Sequence, residues 1–437
     1  MNKKVPVVTV AQAEEAAELP GLPAEVTVAL GDLAGAMREG LLAFASATGL
    51  AVLQQMMEAE LTARIGPKHA KLGAERMGNW HGRTEGPLAF GGRLVSVERP
   101  RGRTREGEEI TLDTWRAFSA QDLLNSLVVE RMLAGVATRR HLDVAEPVGS
   151  AIEQRSRATS KSSVSRRFVA AMEKALADLM ARSLTDLDVA VVMVDGIVVE
   201  QQCCVVALVI TTDGTKVPVG LWLGDTENKT VVTALLADLV ARGLDFSAGI
   251  LCVIDGAKAL SAAVERVFGD RARVQRCTIH KRRNVKDHLP KELGETIDKR
   301  LAVIFAQPDT AKGLDAARRL AAELDAEHPD AAASLREGLE EMFTARRLGV
   351  TPRLAKNLTN TNCIESMISI ARRTTGRVTK WKDGTMKKRW IAAGMLEAER
   401  SFRRIKGYRD MPDFVAALRR DTQRITDTPA EYAHEAA

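Results

Sequence analysis

Two acidic residues stand where an apolar run breaks off: Asp195 in VVMVDGIV and Asp255 in LCVIDGAK, each followed by glycine. Short apolar runs of this kind read as buried strands, and the end of a strand in an α/β sheet is where functional groups open into a crevice. A carboxylate set beside a buried strand costs free energy unless a partner offsets it. Sixty residues separate the two, 195 to 255, which suits neighbouring strands whose carboxylates converge on a hard cation. Mg²⁺ takes a few carboxylates, keeps some waters and accepts phosphate oxygens, and Mn²⁺ substitutes readily at such oxygen sites. Two such ions about 3.5–4 Å apart clamp the attacking and leaving oxygens of an in-line displacement at phosphorus. Either aspartate alone reads equally as an Asp-Gly turn closing a strand; the pair, in one strand order, favours the metal reading.

A third ligand for such a site must be acidic and lie on an element packed at the sheet. Glu365 in TNTNCIESMISIARR fits. Ile364 and Ile368, four apart, can face the core, and Glu365, Ser369 and Arg372 then share the adjacent helix face. A glutamate in a helix is, on its own, an ordinary solvated residue. Cys277 and His280 form a C-x-x-H pair. Bare, it is half of a zinc site, but no second Cys/His pair completes it, since Cys363 stands alone and His288 and His328 lack close partners. The readings left open are an auxiliary role near the acids and a buried packing cysteine.

Basic residues cluster in three places. Lys161, Arg166 and Arg167 open a helical stretch; Lys281, Arg282 and Arg283 follow the C-x-x-H pair; Arg372, Arg373, Arg377 and Lys380 begin a run that continues through Lys382, Lys387, Lys388 and Arg389 with Trp381 and Trp390 interleaved. Such clusters are either solvated faces or contacts to nucleic-acid phosphate.

The elements that must position these groups follow from periodicity. Residues 26–66 are helical in pattern, and Gly66–Pro67 stops the run. Residues 67–112, rich in glycine and arginine, predict a small β-ribbon. Residues 119–145 and Ser160–Leu179 predict two helices around a turn, a helix-turn-helix pattern. From residue 188 strands are expected at Asp188–Val194, Cys203–Thr211, Lys216–Leu223, Gly249–Ile254 and Ala272–Gln275, with helices at Asn228–Gly243 and Lys258–Phe268. The resulting order, β-β-β-α-β-α-β, is that of a ribonuclease-H-like fold. Residues 278–348 are almost wholly helical in composition, and a last helix fits Cys363–Arg373.

Composition bounds the class. The chain has 437 residues, 45% hydrophobic and 27% charged, which is globular and multi-domain in scale. Five cysteines, two of them adjacent and none in a C-x-x-C pair, do not read as a disulfide framework and fit a reducing, cytoplasmic setting. No run reaches the roughly 18 apolar residues a membrane span needs. Neither G-x-x-x-x-G-K-[ST] nor a G-x-G-x-x-G after a strand is present, which argues against a nucleotide-using enzyme.

The segments VDGIVVE, DGTKVPVGLWLGDTENK, CVIDGAKAL, VQRCTIHKRRN and TNTNCIESM, in this order and spacing, resemble bacterial Mutator-type insertion-sequence transposases. The likeness is clearest over residues 188–410 and extends more weakly to about residue 50 through EAELTARIG, GNWHGRTEG and GGRLVSVERPRGR. The sequence departs from that pattern at Gly196, where alanine is usual, and at Cys203–Cys204, where aromatics are usual. The resemblance implies Asp195, Asp255 and Glu365 as the catalytic and metal-binding acids, two Mg²⁺ ions per site with Mn²⁺ as a substitute, and Cys277 and His280 near the site. It implies a helical insertion in the 110 residues between Asp255 and Glu365. It also implies double-stranded DNA as partner (terminal inverted repeats, then target or a circular intermediate), at least a homodimer, a nucleoid-associated location, and neither membrane nor small-molecule substrate.

The expected architecture is therefore multi-domain: an α-rich N-terminal DNA-binding region and an α/β ribonuclease-H-like catalytic domain interrupted by an all-helical insertion. The expected boundaries are a flexible leader at 1–25, a helical and β-ribbon region at 26–118, and a helix-turn-helix-like region at 119–185. The catalytic core follows at 186–284, the insertion at 285–350, the second part of the core with the Glu365 helix at 351–410, and a C-terminal helix or tail at 411–437. The expected activity is metal-dependent cleavage and transfer of DNA strands; the alternatives are an inactive, transposase-derived repressor and a nuclease without strand transfer.

Overall fold

The computed structural model describes residues 39–68, 77–119, 123–141, 143–157, 160–224 and 228–426. The expected leader at 1–25 lies outside these residues, as does the first part of the helix expected from residue 26. The protein is helix-rich, with two mixed or antiparallel sheets, and its chain divides into two compact units, residues 1–171 and 172–437. No described helix is long and apolar enough to cross a membrane.

In the first unit α1 (Leu41–Ile65) buries Leu53, Met57, Leu61 and Ile65, a strict four-residue spacing that makes one apolar face. That face packs on the hairpin β1 (Gly78–Phe90) and β2 (Arg93–Thr104), covering Leu88, Val95 and Val97. The hairpin closes through Gly91 and Gly92, both at positive φ (55° and 79°), with Phe90 opposite Arg93. A two-residue loop of this hand needs left-handed backbone at both positions, which glycine adopts without strain.

The helix-turn-helix expectation is corrected here. The helices that would form it are α3 (Leu123–Leu133), which follows the short α2 (Asp113–Ser119), and α5 (Lys161–Ala181). Between α3 and α5 lie α4 (Ser150–Gln154) and the strand β3 (Ser156–Arg157), which pairs with Leu94 and Val95 of β2. A helix-turn-helix needs a turn of about three or four residues; here the connection contributes a third strand to the ribbon instead.

The second unit is built on a five-stranded sheet of order β6-β5-β4-β7-β8. Its members are β4 (Val189–Val199), β5 (Gln202–Thr211), β6 (Lys216–Gly224), β7 (Ile250–Ile254) and β8 (Ala272–Arg276). Antiparallel hairpins join β4, β5 and β6, whereas β7 and β8 run parallel to β4 through helical crossovers. The crossover helices are α6 (Lys229–Ala241) and α7 (Lys258–Phe268). Asn228 caps α6 by accepting a hydrogen bond from the Val231 amide at 3.0 Å.

Strand alternation divides this sheet between two cores. Val192 and Val194 of β4 pack with Leu235 and Leu239 of α6 and Leu260 and Val264 of α7. Val191, Met193 and Ile197 face the other way, against Ile364, Met367 and Ile368 of α14 (Asn362–Thr375) and Ile391 and Met395 of α15 (Gly384–Ser401). Each such fully buried side chain stabilises by about 1.5–3 kcal/mol.

Between β8 and α14 the chain is helical throughout. α8 (Thr278–Asp287), α9 (Lys291–Ala306), α10 (Thr310–Asp325) and α11 (Pro329–Arg336) enclose their own core of Ile297, Leu301, Leu320, Leu335 and Phe343. The short helices α12 (Thr344–Arg347) and α13 (Pro352–Leu358) return the chain to the sheet, and α16 (Met411–Thr426) follows α15.

Candidate active site

Asp195 lies inside β4, not beyond its end: the strand continues through Gly196 to Val199, opposite Val206 and Val205 of β5. The sequence expectation stopped the strand at Val194 because Asp-Gly is a turn signal; ten residues of cross-strand pairing with β5 override it. Asp195 has the parity of Met193 and Ile197, so its side chain opens on the face covered by α14. Asp255 directly follows β7 and has the parity of Leu251 and Val253, which face the same way. β4 and β7 pair in register from Val191↔Leu251 to Met193↔Val253, and continuing that register by two residues brings Asp195 level with Asp255. The Asp255 carboxylate accepts from the Ala257 amide at 2.8 Å, with Gly256 at φ 99°, which locks the turn out of the strand.

Glu365 sits in the first turn of α14, whose buried face carries Ile364, Met367, Ile368 and Ala371. Its carboxylate is held from below: the Thr361 hydroxyl donates to Glu365 Oε1 at 2.7 Å. Thr361 occupies the N-cap position, where a threonine ordinarily accepts from a backbone amide, yet its side chain makes no capping bond. It turns inward instead and also meets Cys277 Sγ at 3.2 Å and His280 Nδ1 at 3.4 Å. His280 Nε2 lies 3.7 Å from Glu365 Oε1.

Cys277 and His280 are fixed by backbone bonds that tie three elements together. The Cys277 amide donates to Ile254 O at 2.7 Å, just before Asp255, and the Thr278 amide donates to Thr359 O at 3.0 Å, just before α14. The N-terminus of α8 thus clasps the end of β7 to the start of the glutamate helix. Among the described residues, Cys277, His280 and Glu365 offer ligand atoms that all lie within 4.8 Å of one another.

The electrostatics follow from this crowding. Burial, with the charges of Asp255 and Glu365 adding to it, raises the Asp195 carboxyl to about 6 against the opposing Gly196 amide and His280. The hydrogen bond with Cys277 raises His280 to about 9 against the effect of burial, with Glu365 and Asp195 adding to the rise. Burial pushes the Cys277 thiol up, but hydrogen bonds from His280 and Thr361 outweigh it and bring the thiol below its ordinary value. Of the residues singled out in the sequence as acids and auxiliaries, Asp195 lies within electrostatic reach of Asp255, His280 and Glu365, and His280 joins Cys277 to Glu365. Thr361, which joins Cys277, His280 and Glu365, was not singled out.

The basic residues fare differently. Lys281 is buried, with Nζ donating to Ser334 O at 2.6 Å and lying 3.6 Å from Glu337, so it holds the insertion and presents no charge to solvent. Its place was readable in part: Thr278, Lys281 and Val285 share a buried helical face. Arg282 makes a two-bond pair with Asp298 at 2.8 and 2.6 Å, whereas Arg283 is exposed. Arg372, Arg373, Arg377 and Lys380 are exposed at and beyond the end of α14; Lys387 is buried against Glu200 at 2.9 Å, and Trp381 packs against the core. Lys161 and Arg166 are exposed, and Arg167 donates to Asn125 at 2.7 Å, all within the first unit. A basic cleft of about 620 Å³, lined by Lys216, Lys356, Arg403, Arg404 and Lys406, was not anticipated. Three of its basic residues lie in one short stretch, residues 403–406, but Lys216 and Lys356 come to it from distant parts of the sequence.

Fold and site together define a helix-rich, multi-domain protein whose α/β unit collects acidic groups on one face, with a helical insertion between the second and third. Residues 38–404 match the family model for the transposases of the Mutator family. The chain belongs to that family, and so to the transposases, which act on DNA. Among curated relatives, the transposase for insertion sequence element IS256 in transposon Tn4001 of Staphylococcus aureus is 25% identical over 356 residues, covering 79% of this chain and 87% of the relative. The transposase for ISRM5 of Rhizobium meliloti is 27% identical over 369 residues, covering 83% and 89%. The transposase for IS6120 of Mycolicibacterium smegmatis is 31% identical over 206 residues, covering 46% and 62%.

Proposed function

We propose that this chain is an Asp-Asp-Glu transposase that cleaves and transfers DNA strands at the ends of an insertion sequence. The observation that carries the reading is the register of β4 against β7, which levels Asp195 with Asp255 on the sheet face that α14 covers with Glu365. The strand order and the helical insertion also fit the ribonuclease-H-like fold expected for the second unit. We take residues 186–284 and 351–410 as its catalytic core and 285–350 as the insertion.

The donor set fits Mg²⁺ or Mn²⁺. Three carboxylates offer oxygens alone, and the upward push on Asp195 from its two neighbours is the mutual repulsion a bound cation relieves. Bound divalent ions, two in this reading, would activate the attacking hydroxyl or water and neutralise charge at the phosphodiester. Asp195, Asp255 and Glu365 would hold them; Thr361 fixes the Glu365 carboxylate; the His280 ring, against Glu365, offsets the crowding of negative charge. The exposed Arg283, Arg372, Arg373, Arg377 and Lys380 grip the DNA backbone near the acids, and Lys161, Arg166 and Arg167 belong to end recognition in the first unit. Double-stranded inverted-repeat DNA, at least a homodimer, and a cytoplasmic, nucleoid-bound site of action complete the proposal.

The deciding experiment is strand cleavage and joining, in Mg²⁺ or Mn²⁺, on DNA carrying the flanking ends of the element that encodes the chain. Wild type is compared with Asp255→Asn, which keeps shape and removes charge. Metal-dependent products from wild type alone, with equal DNA binding by both, support the reading. Tight end binding with no products from either would leave a DNA-binding repressor.

A further inference from the structure

We propose that Cys277, His280 and Glu365 form a second cation site, specific for a thiophilic divalent ion such as Zn²⁺ or Cd²⁺, whose occupancy inhibits the enzyme by withdrawing Glu365 from the acidic cluster. The inhibitory part rests on Glu365 being one of the catalytic acids; the binding part does not.

The geometry carries the site. The three ligand atoms lie within 4.8 Å of one another, and His280 Nε2 and Glu365 Oε1 are already 3.7 Å apart. Zinc bonds of about 2.3 Å to sulfur and about 2.0–2.2 Å to nitrogen and oxygen put tetrahedral ligands roughly 3.3–3.8 Å apart. Small inward movements therefore suffice. Sulfur, imidazole and carboxylate together, with a fourth position left over, make the coordination set of an accessible zinc, and a thiolate ligand selects against Mg²⁺. Cys277 is fully buried and forms the inner wall, while the side chains of His280 and Glu365 are 26% and 30% exposed, so an ion enters from their side.

Thr361 explains why the same groups also stand together without an ion. Its hydroxyl lies 3.2 Å from the sulfur, 3.4 Å from His280 Nδ1 and 2.7 Å from Glu365 Oε1. It is the hub that the cation replaces. Binding involves no redox change: the Cys277 proton is released to solvent and a metal–sulfur bond forms in its place. Because one glutamate serves both sites, the two occupancies compete.

The test is a titration of the full-length, metal-stripped protein with Cd²⁺, following the ultraviolet cadmium–thiolate charge-transfer band. Wild type is expected to develop the band at one ion per chain. Cys277→Ser should abolish it, although four other cysteines remain. His280→Gln and Glu365→Gln should each weaken binding by at least the roughly 10–100-fold that loss of an outer-shell partner costs. Circular dichroism melts show whether each variant folds, and the two partly exposed positions keep the test open if Cys277→Ser does not. No band in wild type, or a band unmoved in Cys277→Ser or in Glu365→Gln, overturns the site. In the cleavage assay, Zn²⁺ should inhibit as it fills the site, with an apparent affinity that weakens as Mg²⁺ is raised, because the two compete for Glu365. Inhibition at concentrations that leave the site empty would overturn the inhibitory role. A protein inactive in Mg²⁺ alone would overturn the cleavage reading while the band still reports the site.

Discussion

At the scale of single residues, the candidate site is a conflict between burial and charge. Asp195 is held in a strand with its carboxyl raised to about 6 from an ordinary value near 4, chiefly by burial and then by Asp255 and Glu365. A carboxyl raised on folding is stable while protonated, so its contribution is intact below the unfolded value and is lost as pH climbs through about 6. Above that pH the ionised Asp195 works against the fold by an amount on the order of 2–3 kcal/mol. Asp195→Asn is therefore expected to raise the melting temperature of the metal-free protein at about pH 8, with the advantage vanishing near pH 4. An equal effect at both pH values would show that burial and its neighbours do not shift the group. Thr361 belongs to the same scale. Thr361→Val removes a hydrogen bond to a charged carboxylate, worth about 1.5–3 kcal/mol, and should lower kcat about 10–100-fold with little change in DNA affinity, while Thr361→Ser keeps most of the rate. Loss of both rate and rescue with an unfolded melt would make the residue a structural one alone. Asp195 and Asp255 stand out in the sequence because an acid ending an apolar run is visible in one dimension, whereas Glu365, an ordinary helical glutamate by itself, stands out only through the segment around it. Thr361 is hidden because T-N-T-N before a helix reads as a cap, and the direction its hydroxyl takes is decided by Cys277 and His280 more than eighty positions away.

Elements were legible where periodicity alone decides them. α7 spans Lys258–Phe268 as its pattern predicts, and β5 and β6 differ from expectation by one residue at an end. They were illegible where tertiary pairing overrules local chemistry: β4 runs through its Asp-Gly, and β3 is a two-residue strand that exists because β2 offers it an edge. The insertion shows the same principle in its root. Gln275 is fully buried in β8; its amide nitrogen donates to Met342 O at 2.9 Å and its oxygen accepts from the Ala345 amide at 2.9 Å. One side chain thus satisfies the backbone at the point where the helical insert returns to the sheet. Gln275→Leu leaves two buried backbone groups unpaired and is expected to destabilise the second unit by about 2–3 kcal/mol in urea unfolding. A change below about half a kcal/mol, the range of ordinary surface substitutions, would mean that water replaces the glutamine there.

For the whole molecule, the net charge of +6 is too small to say where DNA lies; distribution decides it. Two exposed basic surfaces in the second unit compete for the backbone: Arg372, Arg373, Arg377 and Lys380 at and beyond the end of α14, which the sequence displays as a run, and the cleft, where the stretch 403–406 meets the distant Lys356. The cleft also presents the Asn362 and Asn360 side chains flanking Thr361, so a duplex lying in it passes the start of the glutamate helix. Each phosphate neutralised by a lysine or arginine contributes about 0.9 to the slope of log affinity against log salt on duplex DNA. Arg372→Gln/Arg373→Gln and Lys356→Gln/Arg403→Gln should each lower that slope by about 2 and weaken end DNA and unrelated DNA alike, since phosphate contacts carry no sequence. If the cleft pair alone moves the slope, the duplex runs along the cleft and the arginine run is a solvated face. If the run alone moves it, the cleft is not a phosphate track. A loss confined to end DNA would assign base reading to these residues, and the division of labour between the two units would have to be drawn elsewhere.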